Sequence, residues 1–352
     1  MTLFRNTDRR GFMAQALAGS AATMLLAAPA RAVAAAPAGF GPLKHVQTSL
    51  LDIAYAEIGP ANGTPVLLVH GWPYDIHTYA DAAQMLGARG YRVLVPYLRG
   101  YGATRFLSDA TPRNGQQAAL AMDALDFLDA LGIDRAIVGG CDWGARTACI
   151  LAALHPERVR ALVSVSGYLI GSQAANVKPL SPETERRWWY QFYFATERGR
   201  QGYAANTHDF ARLIWKTASP SWAFDEAVFA RSAAALDNPD HVAISIHNYR
   251  WRLGLAEGET RHDAIEAKLA TFPTIAVPTI TLEGDDNGAP HRQSQDYRAK
   301  FTGPYEHRTS KGGIGHNLPQ EAPKDFPRAI VDAGRMAGRR CASVPRCCAL
   351  RL

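Results

Sequence analysis

Short, unbroken apolar runs alternate along much of the chain with longer segments of helical spacing. LLDIAYAEIG, from residue 50, alternates well enough for a half-exposed strand. VLLVH at 66–70, YRVLVP at 91–96, RAIVGG at 135–140, RALVSVSG at 160–167 and PTITLEG at 278–284 are continuous apolar runs. Such runs suit strands covered on both faces. Between them, DAAQMLGARG, QQAALAMDALDFLDALG and ARTACILAALHPERV repeat apolar positions with helical period. This order predicts an α/β domain, a mostly parallel sheet with helices on both faces.

From about residue 170 to 270 the strand pattern stops. RRWWYQFYFATERG, DFARLIWKTA, DEAVFARSAAALDN and HVAISIHNYRWRLG read as helices rich in aromatic residues. The strand pattern resumes at 278. A helical block between two strands of one sheet is the layout of an inserted cap. The expected domains are a core over 46–169 and 271–333 and a helical cap over 170–270.

Composition adds limits. The chain of 352 residues is 47% hydrophobic and 20% charged, as in an ordinary globular protein. The net charge of +6 sits at the two ends. Arg5, Arg9, Arg10 and Arg31 outweigh Asp8 at one end, and Arg335, Arg339, Arg340, Arg346 and Arg351 crowd the other. The body between is close to neutral, so the basic balance makes no case for nucleic-acid binding, and no nucleic-acid motif is present. Cys141 and Cys149 read as buried packing residues; Cys341, Cys347 and Cys348 lie in a basic tail over 334–352, expected to be disordered. Five cysteines so placed form no disulfide framework.

The first 32 residues read as a targeting segment. Arg9-Arg10-Gly11-Phe12 precedes an apolar run from Ala14 to Ala28, and Ala30-Arg31-Ala32 is a small-x-small cleavage site. The pattern resembles a twin-arginine export signal. The run is short for a membrane span. Cleavage near Ala32 would leave a linker over 33–45 and a periplasmic or secreted protein, with no membrane attachment afterwards.

Gly140-Cys141-Asp142-Trp143-Gly144 follows the strand RAIVG and opens the helix ARTACILAAL. G-x-Nu-x-G between strand and helix is the form of a nucleophile elbow, whose glycines permit a strained turn that lifts the central side chain. Asp142 is therefore the expected nucleophile; a plain helix cap is the alternative. A serine attacking saturated carbon would leave a stable ether. A carboxylate leaves an ester, which water can cleave at the enzyme's own carbonyl. Asp142 thus points to epoxide opening or halide loss rather than to esterase chemistry. In an elbow of this kind the oxyanion donors are the backbone N–H groups of Trp72, in the loop His70-Gly71-Trp72-Pro73, and of Trp143. His70 reads as structural. His316, in GGIGHNLPQEAP after the last strand YEHRTS, is the expected base.

HGWP, GCDWGA and GHNLPQEAP together resemble the epoxide hydrolases of the α/β-hydrolase fold, over roughly 46–334, and are shared in part with haloalkane dehalogenases. The resemblance implies two cap tyrosines that hold and protonate the epoxide oxygen. Tyr190, in Tyr190-Gln191-Phe192-Tyr193-Phe194, and Tyr249, in His247-Asn248-Tyr249-Arg250, match those positions. It also implies an acid three residues after the glycine that ends PTITLEG, but Asn287 stands there. Asp286 is favoured as the acid that orients His316, with Asp285 and Asn287 as alternatives. No metal and no organic cofactor is implied. The expected partner is a small apolar or aromatic epoxide, in view of Trp188, Trp189, Phe192 and Phe194, and a homodimer is compatible with the sequence. The rivals are a haloalkane or haloacid dehalogenase, with Trp143 as a halide donor, and a non-catalytic ligand-binding member of the fold.

Overall fold

The computed structural model describes residues 39–342. The targeting segment and the end of the tail lie outside the described residues. The expected runs become β2 (Leu51–Ile58), β3 (Thr64–Val69), β4 (Tyr91–Pro96), β6 (Ala136–Gly140), β7 (Val159–Val165), β8 (Thr279–Gly284) and β9 (Tyr305–Ser310), and two short strands outside those runs, β1 (Lys44–Gln47) and β5 (Arg105–Phe106), join them. They form one sheet in the order β1-β2-β4-β3-β6-β7-β8-β9, with β5 paired to β2. The first pairings are antiparallel, and every pairing from β4 through β9 is parallel. β6 and β8 are buried along their whole length, as strands with both faces covered must be.

Helices α1 (Ala80–Gly87), α2 (Gln117–Ala130) and α3 (Trp143–Leu154) follow β3, β5 and β6. The cap, as expected, is all helical between β7 and β8. It comprises α4 (Gln173–Asn176), α5 (Pro182–Arg187), α6 (Trp189–Ala195), α7 (Glu197–Ala205), α8 (Thr207–Ala218), α9 (Glu226–Ala233), α10 (His241–Arg252) and α11 (Asp263–Leu269). α12 (Ser294–Tyr297), α13 (Leu318–Glu321) and α14 (Asp325–Ala342) complete the chain.

Two boundaries move. β1 begins inside the expected linker. α14 continues to Ala342, so the first part of the expected disordered tail is helix. Phe326, Ala329, Ile330 and Ala333 bury one face of α14 in the core, and that apolar stripe carries the helix past residue 334. Beneath the cap, Arg99 is fully buried and forks onto both oxygens of Asp123, at 2.5 and 2.6 Å, while also donating to the Asn114 carbonyl. Among the described residues no helix is long and apolar enough to cross a membrane.

Candidate active site

The fully parallel β6 ends at Gly140, and α3 starts three residues later. Asp142 makes that turn with φ 53° and ψ −119°, a conformation that costs a side-chain-bearing residue on the order of 1–3 kcal/mol. Gly144 makes the turn sterically feasible, because a Cβ there would lie 1.7 Å from the Val69 carbonyl oxygen. Gly71 likewise lets the oxyanion loop approach, since a Cβ there would meet the Asp142 Cβ at 2.4 Å. The Asp142 side chain makes no capping hydrogen bond to α3. It points instead into the site.

Its two oxygens have different surroundings. Oδ1 accepts the Trp72 backbone N–H at 2.9 Å. Oδ2 lies 3.7 Å from His316 Nε2, an ion-pair contact longer than a hydrogen bond. Trp143 begins α3, where first-turn N–H groups lack partners within the helix. Its buried indole N–H has no hydrogen-bond partner. The Trp72 indole donates to the Tyr203 hydroxyl at 3.0 Å, and that hydroxyl is 2.8 Å from His241 Nε2. His70 is a tie between loops: the Leu98 N–H donates to Nε2, and Nδ1 is 3.1 Å from the Gly71 carbonyl oxygen. Burial pushes its pKa down to about 4, so it stays neutral.

His316 is placed by its backbone and by the cap. Its N–H is shared between Ser219 Oγ, at 2.9 Å, and the Ala218 carbonyl, at the end of α8. Glu321 clamps the same loop, accepting from the Ser219 hydroxyl and from the Gly315 and Asn317 amides at 2.6, 2.6 and 2.9 Å. Burial by itself would lower the imidazole pKa; the neighbouring Asp142 carboxylate outweighs it, with Glu283 and Glu321 adding, and the net shift is upward. Burial would raise the Asp142 pKa, and His316 outweighs that, with Arg146 and the Trp72 amide contributing, so the net shift is downward. Both shifts favour the charged pair.

None of the three candidate acids hydrogen-bonds to His316. Asp285 is turned outward, where it accepts the amides of Gly312, Gly313 and Ile314 at 2.9–3.0 Å and fastens that loop. Asp286 has one buried carboxylate oxygen without a partner, and no ion pair joins it to His316. Asn287 donates to Glu283 Oε1 at 2.7 Å and to Ser166 Oγ at 3.3 Å, and accepts the Ala289 amide. Glu283, on β8, is a buried carboxylate that sequence reasoning did not single out. Its Oε2 has no partner, and the same holds for His316 Nδ1. The signal was a lone carboxylate inside an apolar strand run, PTITLEG, which read simply as strand.

Tyr190 on α6 and Tyr249 on α10 face each other edge-on, with ring centroids 5.4 Å apart, and both pack on Trp72, at 5.1 and 5.2 Å. Arg250 ties α10 to α6 by donating to the Phe194 and Thr196 carbonyls at 2.9 and 3.0 Å. Burial, reinforced by the Asp142 charge, pushes both phenols well above their ordinary pKa. They are therefore protonated and able to donate. Of the cap aromatics, Phe194 is buried in packing and Trp189 packs at a tilt against Phe210, while Trp188 and Phe192 line a cavity. The arrangement brings together a carboxylate, an amide donor on one of its oxygens, an imidazole beside the other and two protonated phenols.

The family model for the alpha/beta hydrolase fold matches residues 64–314. A candidate epoxide hydrolase from Klebsiella pneumoniae subsp. pneumoniae is 60% identical, superposes with a TM-score of 0.83 and aligns over 83% of this chain and 97% of its own. Epoxide hydrolase 2 of Siraitia grosvenorii is 35% identical over 127 residues, 36% of this chain and 38% of that protein. Epoxide hydrolase B of Mycobacterium tuberculosis is 33% identical over 160 residues, 42% and 44% of the two chains. The match thus spans less than half the length of these two curated relatives.

Proposed function

Because this chain belongs to the α/β-hydrolase fold family, we propose that it opens epoxides to vicinal diols through a covalent ester on Asp142. The observation that carries this reading is the division of labour between the two Asp142 oxygens. Oδ1 already sits on the amide of the oxyanion loop, so Oδ2 is the oxygen left to attack an epoxide carbon. As the ring C–O bond breaks, Tyr190 or Tyr249 gives its proton to the departing oxygen. An alkoxide is a poor leaving group, and a protonated phenol beside it meets that need.

The ester is then cleaved at the enzyme's carbonyl. His316 Nε2 takes a proton from water, and the hydroxide adds to the Asp142 carboxyl carbon. The new oxyanion forms at Oδ1, facing the Trp72 and Trp143 amides. Collapse expels the diol oxygen, which takes the imidazolium proton. The carboxyl left behind loses its proton, and the phenol regains one, so that epoxide and water are consumed and diol is released. Esterification also switches the base on. It abolishes the Asp142 charge that holds the His316 pKa up, leaving burial to favour the neutral imidazole at the step that uses it. Glu283, held by Asn287 and Ser166, supplies the negative charge behind His316 in place of Asp286.

His316→Gln tests the mechanism. With styrene oxide it should accumulate an adduct of substrate mass on Asp142, read by intact-protein and peptide mass spectrometry. Normal turnover without adduct would overturn the reading. Loss of halide by the same Asp142 attack is the second reading, favoured by the buried, unpartnered Trp143 indole N–H; free halide from a haloalkane, without diol from any epoxide, would select it. The expected place of action is the periplasm or medium, and exported protein beginning near Val33 tests that.

A further inference from the structure

A cavity of about 840 Å³ is lined by residues of both core and cap, and Arg146 on its wall stands one turn beyond Asp142. Its wall carries Arg146, Lys178, Arg252 and Arg292, against a single carboxylate, Glu185. Glu185 is engaged elsewhere, accepting the Leu180 amide at 2.7 Å. Among the described residues none of the four cations is in an ion pair.

Two of these cations are built in. Arg146 is part-buried on α3, one turn beyond Asp142, and its Nε donates to the Leu169 carbonyl at 3.1 Å. Arg252 is part-buried on α10, one turn beyond Tyr249, with its guanidinium 5.7 Å from the Tyr249 ring and 5.9 Å from the Trp188 ring. Burial and then the charge of Arg252 bring Arg146 down to about 10. Both guanidiniums line the same cavity and neither is in an ion pair, while the Asp142 charge acts on Arg146 in the opposite sense and offsets part of the shift. Two part-buried cations with no directly paired carboxylate are unfavourable for folding alone, and an anionic ligand would relieve them.

The geometry points to a carboxylate-binding subsite formed by Arg146 and Arg252, which makes epoxides of unsaturated carboxylic acids the substrates of this site. Guanidinium forks suit a planar carboxylate and can take it by two oxygens. The helices set the reach. Three or four residues of α-helix rise about 5–6 Å, so each arginine follows its reacting partner by that distance along its own helix. The acid group is thus a few bonds from the oxirane. Trp188, Phe192, Leu180 and Leu255 leave an apolar wall for the rest of the molecule. The arginines also offset the repulsion an anionic substrate would meet from Asp142. The expectation of an apolar or aromatic substrate is thereby narrowed to one that carries a negative charge.

This inference rests on the epoxide-opening reading for its reaction but not for its anion. The kinetic test compares kcat/KM for 3-phenylglycidate and for its methyl ester. The protein should prefer the acid by about 10-fold or more, mainly through KM, and Arg252→Gln and Arg146→Gln should each cut the acid-to-ester ratio by about 10–100-fold, as expected for loss of a charge-assisted pair. Equal turnover of acid and ester, or a loss in the variants that is the same on both, would overturn it. The binding test uses cinnamate, which lacks the oxirane, by calorimetry. Binding that is absent from both arginine variants upholds the subsite even where no epoxide is opened, an outcome that would instead defeat the epoxide reading. No cinnamate binding to the unaltered protein would overturn the subsite.

Discussion

The proposed nucleophile, Asp142, and the cap tyrosines meet around Trp72, but the two regions hold these side chains by different forces. In the core, Asp142 is held by backbone crowding: a strained turn, a glycine with no room for a methyl group and an amide aimed at the carboxylate. In the cap, Tyr190 and Tyr249 are held by aromatic packing, with Trp72, Phe194 and each other as walls. Backbone crowding is intolerant of change at a few positions. Aromatic packing is spread over many contacts, so it can lose a polar atom while keeping its shape. The two regions are joined where α8 ends, since Ala218 and Ser219 hold the backbone of His316.

The contrast can be broken most severely at the elbow. Gly144→Ala would drive a methyl group into the Val69 carbonyl, a cost well above the ~1–3 kcal/mol of ordinary overpacking. We expect little folded protein, measured by soluble yield and circular dichroism; a stable, active variant would refute the crowding argument. In the cap, Trp215 stacks on Tyr74 and Trp222 at 5.0 and 5.3 Å and donates to the Pro73 carbonyl at 3.1 Å. Trp215→Ala should lose about 3–5 kcal/mol by denaturant unfolding, because it removes the ring that joins the cap to the oxyanion loop.

Removing only the polar atoms sharpens the comparison. Tyr190→Phe combined with Tyr249→Phe should keep the packing and lower the alkylation rate by about 10²–10⁴-fold. The unfolding midpoint should move little. A large loss of stability with unchanged rate would make these tyrosines structural.

Titration gives a smaller effect with a definite sign. Asp142 is shifted down from 3.8 and His316 up from 6.5. The Asp142 contribution to stability is present above pH 3.8 and lost as pH falls through its lower folded pKa. The His316 contribution is complete below pH 6.5 and lost as pH rises through its higher folded pKa. The stability gap between the native protein and Asp142→Asn should therefore be widest between those two values and narrow on either side. A gap independent of pH would mean that the pair is not charged.

The smallest effect expected is that of Glu283→Gln. It removes a lesser charge that raises His316, so the acidic limb of ester hydrolysis should move to lower pH. Asp286→Asn should leave that limb where it is. The reverse pattern would return the orienting role to Asp286.

Periodicity alone was enough to place the sheet, the cap and the elbow. Continuous apolar runs can be satisfied only by covered strands, and G-x-D-x-G between a strand and a helix has few other uses. It also brought Asp142, His316 and the two tyrosines into consideration, because their signals are local and their order along the chain is informative. What only the tertiary structure decided concerns charges that meet across the fold. How Glu283 is held depends on β8, the end of β7 and the Asn287 loop converging, and strand periodicity has no memory of which carboxylate ends up without a partner. The cationic cavity is of the same kind. Arg146 and Arg252 stand more than a hundred residues apart, each an ordinary helical arginine in its own segment, and only the packing of cap on core places both on the wall of one cavity.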